Sequence, residues 1–210
     1  MKAVFLDLDG TLLDSKIGIT NSVRSAFDRI GRPLAADIDL DWMIGPPLLQ
    51  SLEKLGAPDP EHALDVYREF YGSGGMFEAL LYRGVPQALQ KLQDNGLPMY
   101  LATSKASVFA SEITERFGLK RYLSGEFGSR IDGALSHKTE LLRHALRELG
   151  VRAGDAVMVG DRVVDIDGAH ANKMASVWCS WGYGPGEGED ATARVSTPDE
   201  MAETVMAMLA

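Results

Sequence analysis

One cysteine in 210 residues is the first shortage of this chain. Cys179 alone cannot close an internal disulfide, which rules out a disulfide-stapled scaffold and agrees with a reducing, cytoplasmic setting. It falls in a late apolar run and reads as a small buried hydrophobe. Long apolar runs are also missing. Nothing approaches the roughly 18 consecutive apolar residues of a membrane span, so no membrane partner is expected. The first residues carry one Lys and then two Asp, without the apolar stretch of a secretory signal. Basic charge is scarce as well. Lys and Arg number 21 against 30 acids, for a formal charge of −9 and a pI near 4.9. No basic run or arginine-rich helix stands out, so a nucleic-acid polymer is not an expected partner. A small anionic substrate remains open, provided that a local positive site lies inside the acidic envelope.

What is present begins with Asp7-Leu8-Asp9-Gly10-Thr11. Ala3-Val4-Phe5-Leu6 runs straight into it and reads as a buried strand of a parallel sheet. Two carboxylates therefore stand at the carboxyl end of a core strand, where open α/β sheets bind ligands. Burying them is costly without a metal or a partner. The plain alternative is an Asp-rich turn. An EF-hand loop is excluded, because Leu12 occupies the sixth position, where Gly is required.

Beyond that strand, apolar stripes at helical spacing follow one another. Ile19, Val23, Ala26, Phe27 and Ile30 form the first, closed by Gly31. Leu48, Leu49, Leu52 and Leu55 form the second, and Leu64, Tyr67, Phe70 and Tyr71 the third. Consecutive helices inside an α/β chain predict an inserted helical subdomain. Alternation then resumes. Helices are predicted over 86–95, 107–117 and 138–149, with strands over 98–103, 122–127, 156–160 and 175–180. A terminal helix is predicted over 201–209, and 182–190 reads as a Gly-rich surface loop. The expected fold is an α/β, doubly wound, mostly parallel sheet with a Rossmann-like core. Residues 1–14 and 83–210 make the core, and residues 15–82 a helical cap.

Four separated places put polar groups just past a strand or at a helix start: Asp7/Asp9, Thr103-Ser104-Lys105, Lys138, and Asp161-Arg162-Val163-Val164-Asp165. Each has an ordinary explanation alone. Thr103, Ser104 or Asp161 can cap a helix, and Lys138 can be a solvated helix residue. Their order and spacing together carry the signal.

In that order they resemble the motifs of the haloacid dehalogenase-like superfamily, in its phosphatase branch. Asp7-Leu8-Asp9-Gly10-Thr11 is similar to the first motif, Thr103 to the second, Lys138 to the third, and Gly160 to Asp165 to the fourth. Asp14 to Ser22, Gly45-Pro46-Pro47-Leu48, Ala102 to Lys105, His137-Lys138 and Trp181-Gly182-Tyr183-Gly184 resemble a branch described as 5′-nucleotidase-like and also as phosphoglycolate phosphatase-like. Arg162 stands where many of the broader family have Ser, Thr or Asn; the closer branch is similar in having Arg.

The resemblance implies a phosphomonoesterase working through an aspartyl-phosphate. Asp7 would be the nucleophile and Asp9 the acid and base. Mg²⁺ would be held by the Asp7 carboxylate, the Asp9 carbonyl and Asp161, with Asp165 direct or through water. Thr103, Ser104 and Lys138, with Gly10 and Thr11, would bind the phosphate. Lys105 and Arg162 are second-line candidates with the ordinary reading of surface charges. The cap would read the leaving group around Lys16, Thr20, Asn21 and the Gly45-Pro46-Pro47 turn. The expected partner is a small phosphorylated metabolite, a nucleoside monophosphate or phosphoglycolate-like ester, and the expected state a monomer or homodimer. Asp9 argues against the dehalogenase and phosphonatase reactions. A phosphomutase keeps both acids and stays open, as does a non-catalytic phosphometabolite-binding protein on the same fold.

Overall fold

The computed structural model describes residues 1–210. Along the chain run β1 (Ala3–Leu6), β2 (Leu13–Asp14), α1 (Lys16–Arg29), α2 (Leu48–Lys54), α3 (Pro60–Gly72), β3 (Leu80–Leu81), α4 (Val85–Asp94), β4 (Met99–Ala106), α5 (Ser107–Arg116), β5 (Leu123–Ser129), α6 (Lys138–Leu149), β6 (Ala156–Gly160), α7 (Val163–Ala171), β7 (Ala175–Cys179), β8 (Ala193–Val195) and α8 (Pro198–Met208).

Six strands form one sheet in the order β5-β4-β1-β6-β7-β8, every neighbouring pair parallel. β1 is the central strand, as its unbroken apolar run requires. Its side chains alternate between faces with the strand period. Val4 and Leu6 join one apolar cluster, and Ala3 and Phe5 the other. α4, α5 and α8 cover the first face through Leu89, Ile113 and Met201; α6 and α7 cover the second through Leu141, Leu142 and Ala169. From β1 the chain builds outward on one side through β4 and β5, and on the other through β6, β7 and β8. The carboxyl end of β1 is therefore the topological switch point, where such sheets hold ligands.

Local rules explain the firm element ends. Asp59 accepts the His62 N–H at 3.0 Å and Pro60 opens α3, a side-chain cap followed by a pre-set φ. Gly150 ends α6 in the left-handed region, at φ +63°. Between β2 and β3 the chain adds nothing to the six-stranded sheet. α1, α2 and α3 lie there, and their buried Val23, Leu52 and Val66 belong to the same apolar cluster as Val4 and Leu6. No helix is long and apolar enough to cross a membrane.

Two details differ from the sequence reading. β8 and the antiparallel β2–β3 pair were not predicted, because two or three residues are too few to show a period. Residues 182–190 hold no regular element, as expected, but they pack onto the strand ends instead of standing clear. The Tyr183 N–H donates to Asp161 Oδ2 at 2.7 Å.

Candidate active site

β1 delivers the first two acids. The Asp7 N–H donates to the Val159 carbonyl at 2.9 Å, which carries the β1–β6 ladder one residue beyond the strand. The chain then turns back tightly. Gly10 adopts φ +83°, and a Cβ there would overlap the carboxylate of Asp161. Glycine is thus required twice, by the backbone and by the close approach of motif four. The Thr11 hydroxyl donates to Asp161 Oδ1 at 3.1 Å. The Gly10 N–H donates to the Leu13 carbonyl at 2.8 Å. Gly10 and Thr11 therefore seat Asp161 and close the turn, and neither lines the cavity described below. Both were expected on the phosphate; here the Thr11 hydroxyl is engaged by Asp161 and the Gly10 N–H by the Leu13 carbonyl.

Asp7, Asp161 and Asp165 are all buried and bring one carboxylate oxygen each within 4.8 Å of one another. Lys138, at the first position of α6, reaches into the group. Its Nζ lies 2.9 Å from Asp7 Oδ1, 2.7 Å from Asp165 Oδ1 and 2.7 Å from the Ala102 carbonyl. The side chain passes Gly168, where a Cβ would come within 2.8 Å of Lys138 Cγ. Burial opposes the ammonium, but Asp165 and Asp7 hold its pKa above the ordinary value. Burial pushes the Asp7 carboxyl up to about 7, against the attraction of Lys138. Burial, then Asp165 and Asp7, raise Asp161 well above the carboxylate range. With all three acids ionised, one ammonium would leave negative charge uncompensated, a balance that a cation can supply. The donor set is all oxygen, so it fits a hard divalent cation better than a soft one.

A cavity of about 540 Å³ opens over Asp7 and Asp9. Thr103, Ser104 and Lys105 from β4 form part of its wall. Thr103 is buried, and its hydroxyl accepts the Lys105 N–H at 3.2 Å. The Ser104 hydroxyl is buried with no hydrogen-bond partner. Asp9 accepts from the Ser15 hydroxyl at 2.6 Å through Oδ1, and its Oδ2 lies 3.0 Å from Lys105 Nζ. Lys105 is therefore buried against Asp9 and is not a surface charge.

The opposite wall comes from the inserted helices. Gly45, Pro46 and Pro47 line it, as do Tyr67 and Tyr71 of α3. Lys16, Thr20 and Asn21 do not reach it. Lys16 pairs with Asp41 at 2.7 Å, Asn21 donates to Glu78 at 2.9 Å, and the Thr20 hydroxyl donates to the Lys16 carbonyl at 2.8 Å. Their side chains are engaged on the outside of the insert.

Three further residues support the site: Trp178, not singled out by the sequence, and Trp181 and Arg162, which lie in the motifs read above. Trp178 donates its indole N–H to the Asp161 carbonyl at 2.7 Å, and Trp181 to the Thr11 carbonyl at 3.1 Å. Arg162 is buried; its guanidinium makes two 3.0 Å contacts to Glu187 and donates to the Ile44 carbonyl in the insert. The signal for the loop was its glycines. A Cβ at Gly182 would overlap Asp161, so the Trp181-Gly182-Tyr183-Gly184 run permits close approach as well as turning.

A parallel sheet with helices on both faces, and an acidic cluster at its switch point, define a Rossmann-like α/β enzyme core. A family model described as haloacid dehalogenase-like hydrolase matches residues 1–172. The chain belongs to that family. It is 39% identical over 184 residues to a 5′-nucleotidase of Pseudomonas aeruginosa, covering 86% of this chain and 83% of the relative. It is 35% identical over 208 residues to the tyrosine-protein kinase PtkA of Mycobacterium tuberculosis, covering 96% of this chain and 72% of the relative. Among solved structures, a predicted phosphatase from Clostridium acetobutylicum superposes with a TM-score of 0.93 at 35% identity, over 98% of each chain.

Proposed function

We propose that this hydrolase is a Mg²⁺-dependent phosphomonoesterase acting on a small phosphorylated metabolite through an aspartyl-phosphate. The carrying observation is Asp7: a buried carboxylate at the carboxyl end of β1, flanked by Lys138, Asp161 and Asp165, and open to the cavity. Asp7, Asp161 and Asp165, with the Asp9 carbonyl, would hold the cation, which supplies charge to offset the repulsion between an anionic nucleophile and an anionic phosphate.

The chain's own residues perform the rest. An Asp7 oxygen attacks phosphorus as the ester P–O bond breaks. The departing alkoxide takes a proton from Asp9. Asp9, now ionised, removes a proton from water; the water oxygen attacks phosphorus and frees Asp7. Lys138 keeps Asp7 oriented and offsets charge beside it. Thr103 and the unpartnered Ser104 hydroxyl donate to phosphoryl oxygens. Residues 15–82 act as the cap, excluding water and reading the leaving group.

The cavity has the size of ordinary small-molecule sites, about 300–1,000 Å³. Its room and its Tyr67 and Tyr71 wall favour a bulky leaving group, such as a nucleoside, over the two carbons of phosphoglycolate. The likeness to a 5′-nucleotidase supports the same order. No polymer or membrane is needed as partner, and a cytoplasmic setting belongs to the same proposal.

The test is phosphate release with Mg²⁺ across nucleoside monophosphates, phosphoglycolate, sugar phosphates and an aryl phosphate. Release from nucleoside monophosphates at the highest kcat/KM is expected. Conversion of a sugar phosphate to its isomer, without free phosphate, would replace the reading by a mutase. No turnover of any ester would leave a binding protein.

A further inference from the structure

Lys105 has no role in the steps above, yet it is one of the most constrained cations of the molecule. Its side chain is 7% exposed. The β4–β5 pairing changes register between Thr103 and Ala106, so the strand is irregular where Lys105 leaves it. Irregularities of this kind re-aim side chains beside active sites. Here the side chain is aimed at Asp9 Oδ2, 3.0 Å away. The same ammonium donates to the Tyr71 hydroxyl and lies 4.4 Å from the centre of the Tyr71 ring. Tyr71 is itself fixed. It is 1% exposed, stacks on Tyr67 at 5.2 Å and meets the edge of Phe109 at 5.5 Å.

Asp9 is thus held from two directions. Ser15, immediately before α1, engages one oxygen, and Lys105, itself tied to α3, engages the other. A buried ion pair is weak evidence of stabilisation, since apolar replacements often serve as well. Orientation is what this arrangement supplies. We infer that Lys105 is a positioning residue for Asp9, coupling the seating of α3 through Tyr71 to the aim of the carboxylate that exchanges the proton.

The inference rests on the phosphomonoesterase reading and makes a demand of its own. Loss of Lys105 should hurt a leaving group that needs a proton more than one that does not. The experiment compares kcat/KM for benzyl phosphate, an alkyl ester, with that for p-nitrophenyl phosphate, an aryl ester of similar size, in the presence of Mg²⁺. This parameter reports steps up to leaving-group departure, so the later attack of water does not enter. Lys105→Met should lower the alkyl value by roughly tenfold or more beyond its effect on the aryl value. Tyr71→Phe, which keeps the ring and deletes only the hydroxyl, should shift the ratio in the same direction and by less. The double variant should show a ratio no worse than Lys105→Met alone, because the two act in one chain of contacts. Equal losses on both esters, in variants that melt like the parent, would overturn the inference and leave the phosphatase reading standing. If Lys105→Met fails to fold, Tyr71→Phe decides alone, and the absence of an ester-selective loss overturns it. A parent protein that hydrolyses neither ester would remove the phosphatase reading and this inference together.

Discussion

At the scale of single residues, Asp7 and Asp9 are two positions apart and have different surroundings. Asp7 faces an ammonium and two further acids; Asp9 faces a hydroxyl and a different ammonium. Asp7→Asn should therefore abolish phosphate release from every ester while the circular dichroism spectrum and melting curve stay native-like. Retained turnover would show that another group attacks phosphorus. A pH dependence follows from the same residue. The Asp7 carboxyl is ordinarily near 3.8 and is pushed up to about 7 here, so the folded cation-free protein binds an extra proton between those values. This group's contribution to stability is therefore greatest at the acid end of that window and declines as pH rises through it. A cation takes the ionised form, so its affinity should strengthen as pH rises through that window. Melting curves with chelator and with Mg²⁺ check both: the Mg²⁺-induced rise in Tm should be larger near pH 8 than near pH 5.5. A rise independent of pH would detach Asp7 from the cation.

At the scale of elements, the insert depends on a close helix approach. Gly18, inside α1, lies against the turn after α3, and a Cβ there would overlap the carbonyl oxygen of Gly75. On an open helix, Gly→Ala gains about 1 kcal/mol. Here the collision with backbone outweighs that gain, and overpacking costs typically ~1–3 kcal/mol. Gly18→Ala should lower Tm, whereas Gly96→Ala, with open space at its Cβ, should carry only the strain of a positive φ. Equal melting temperatures for Gly18→Ala and the parent would show that the helices part freely. Elements with strong periodicity were legible in the sequence. α6 and β6 have the bounds predicted for them, and the motif acids follow their strands because a buried strand announces its own end. Lys105, Tyr183 and Glu187 were not legible in their roles. Each acts through a contact with a residue distant in the chain, and nothing local in Thr103-Ser104-Lys105 distinguishes a buried ammonium from a solvated one. Lys16, Thr20 and Asn21, expected to read the leaving group, do not line the cavity, because α1 turns their side chains to other partners.

At the scale of the whole molecule, the insert meets the sheet-bearing core through a few specific bonds. Arg68 donates to the Ile131 carbonyl at 2.8 Å, Gln50 lies 3.2 Å from His137, and Arg162 reaches the Ile44 carbonyl. Arg162 is the most buried of these links, and Gly45 is tailored to it, since a Cβ there would come within 2.7 Å of Arg162 Cγ. Glu187→Gln should weaken the paired grip on the guanidinium. Hydrogen exchange over residues 41–48 should then accelerate relative to the parent, while β1 and β6 stay protected. Unchanged exchange would show that the Ile44 contact holds without the ion pair.

Arg162 also follows Asp161 directly in the chain. The residue that grips the rim of the cavity is one peptide bond from a carboxylate of the buried acidic cluster, and that bond is stiff. A displaced rim would therefore pull on that cluster, like a lever with a very short arm. If rim and cluster move together, rim position and cation occupancy bias each other by the same free energy. A cation bound among Asp7, Asp161 and Asp165 should accordingly shield the 41–48 segment from a protease, although it touches no residue there.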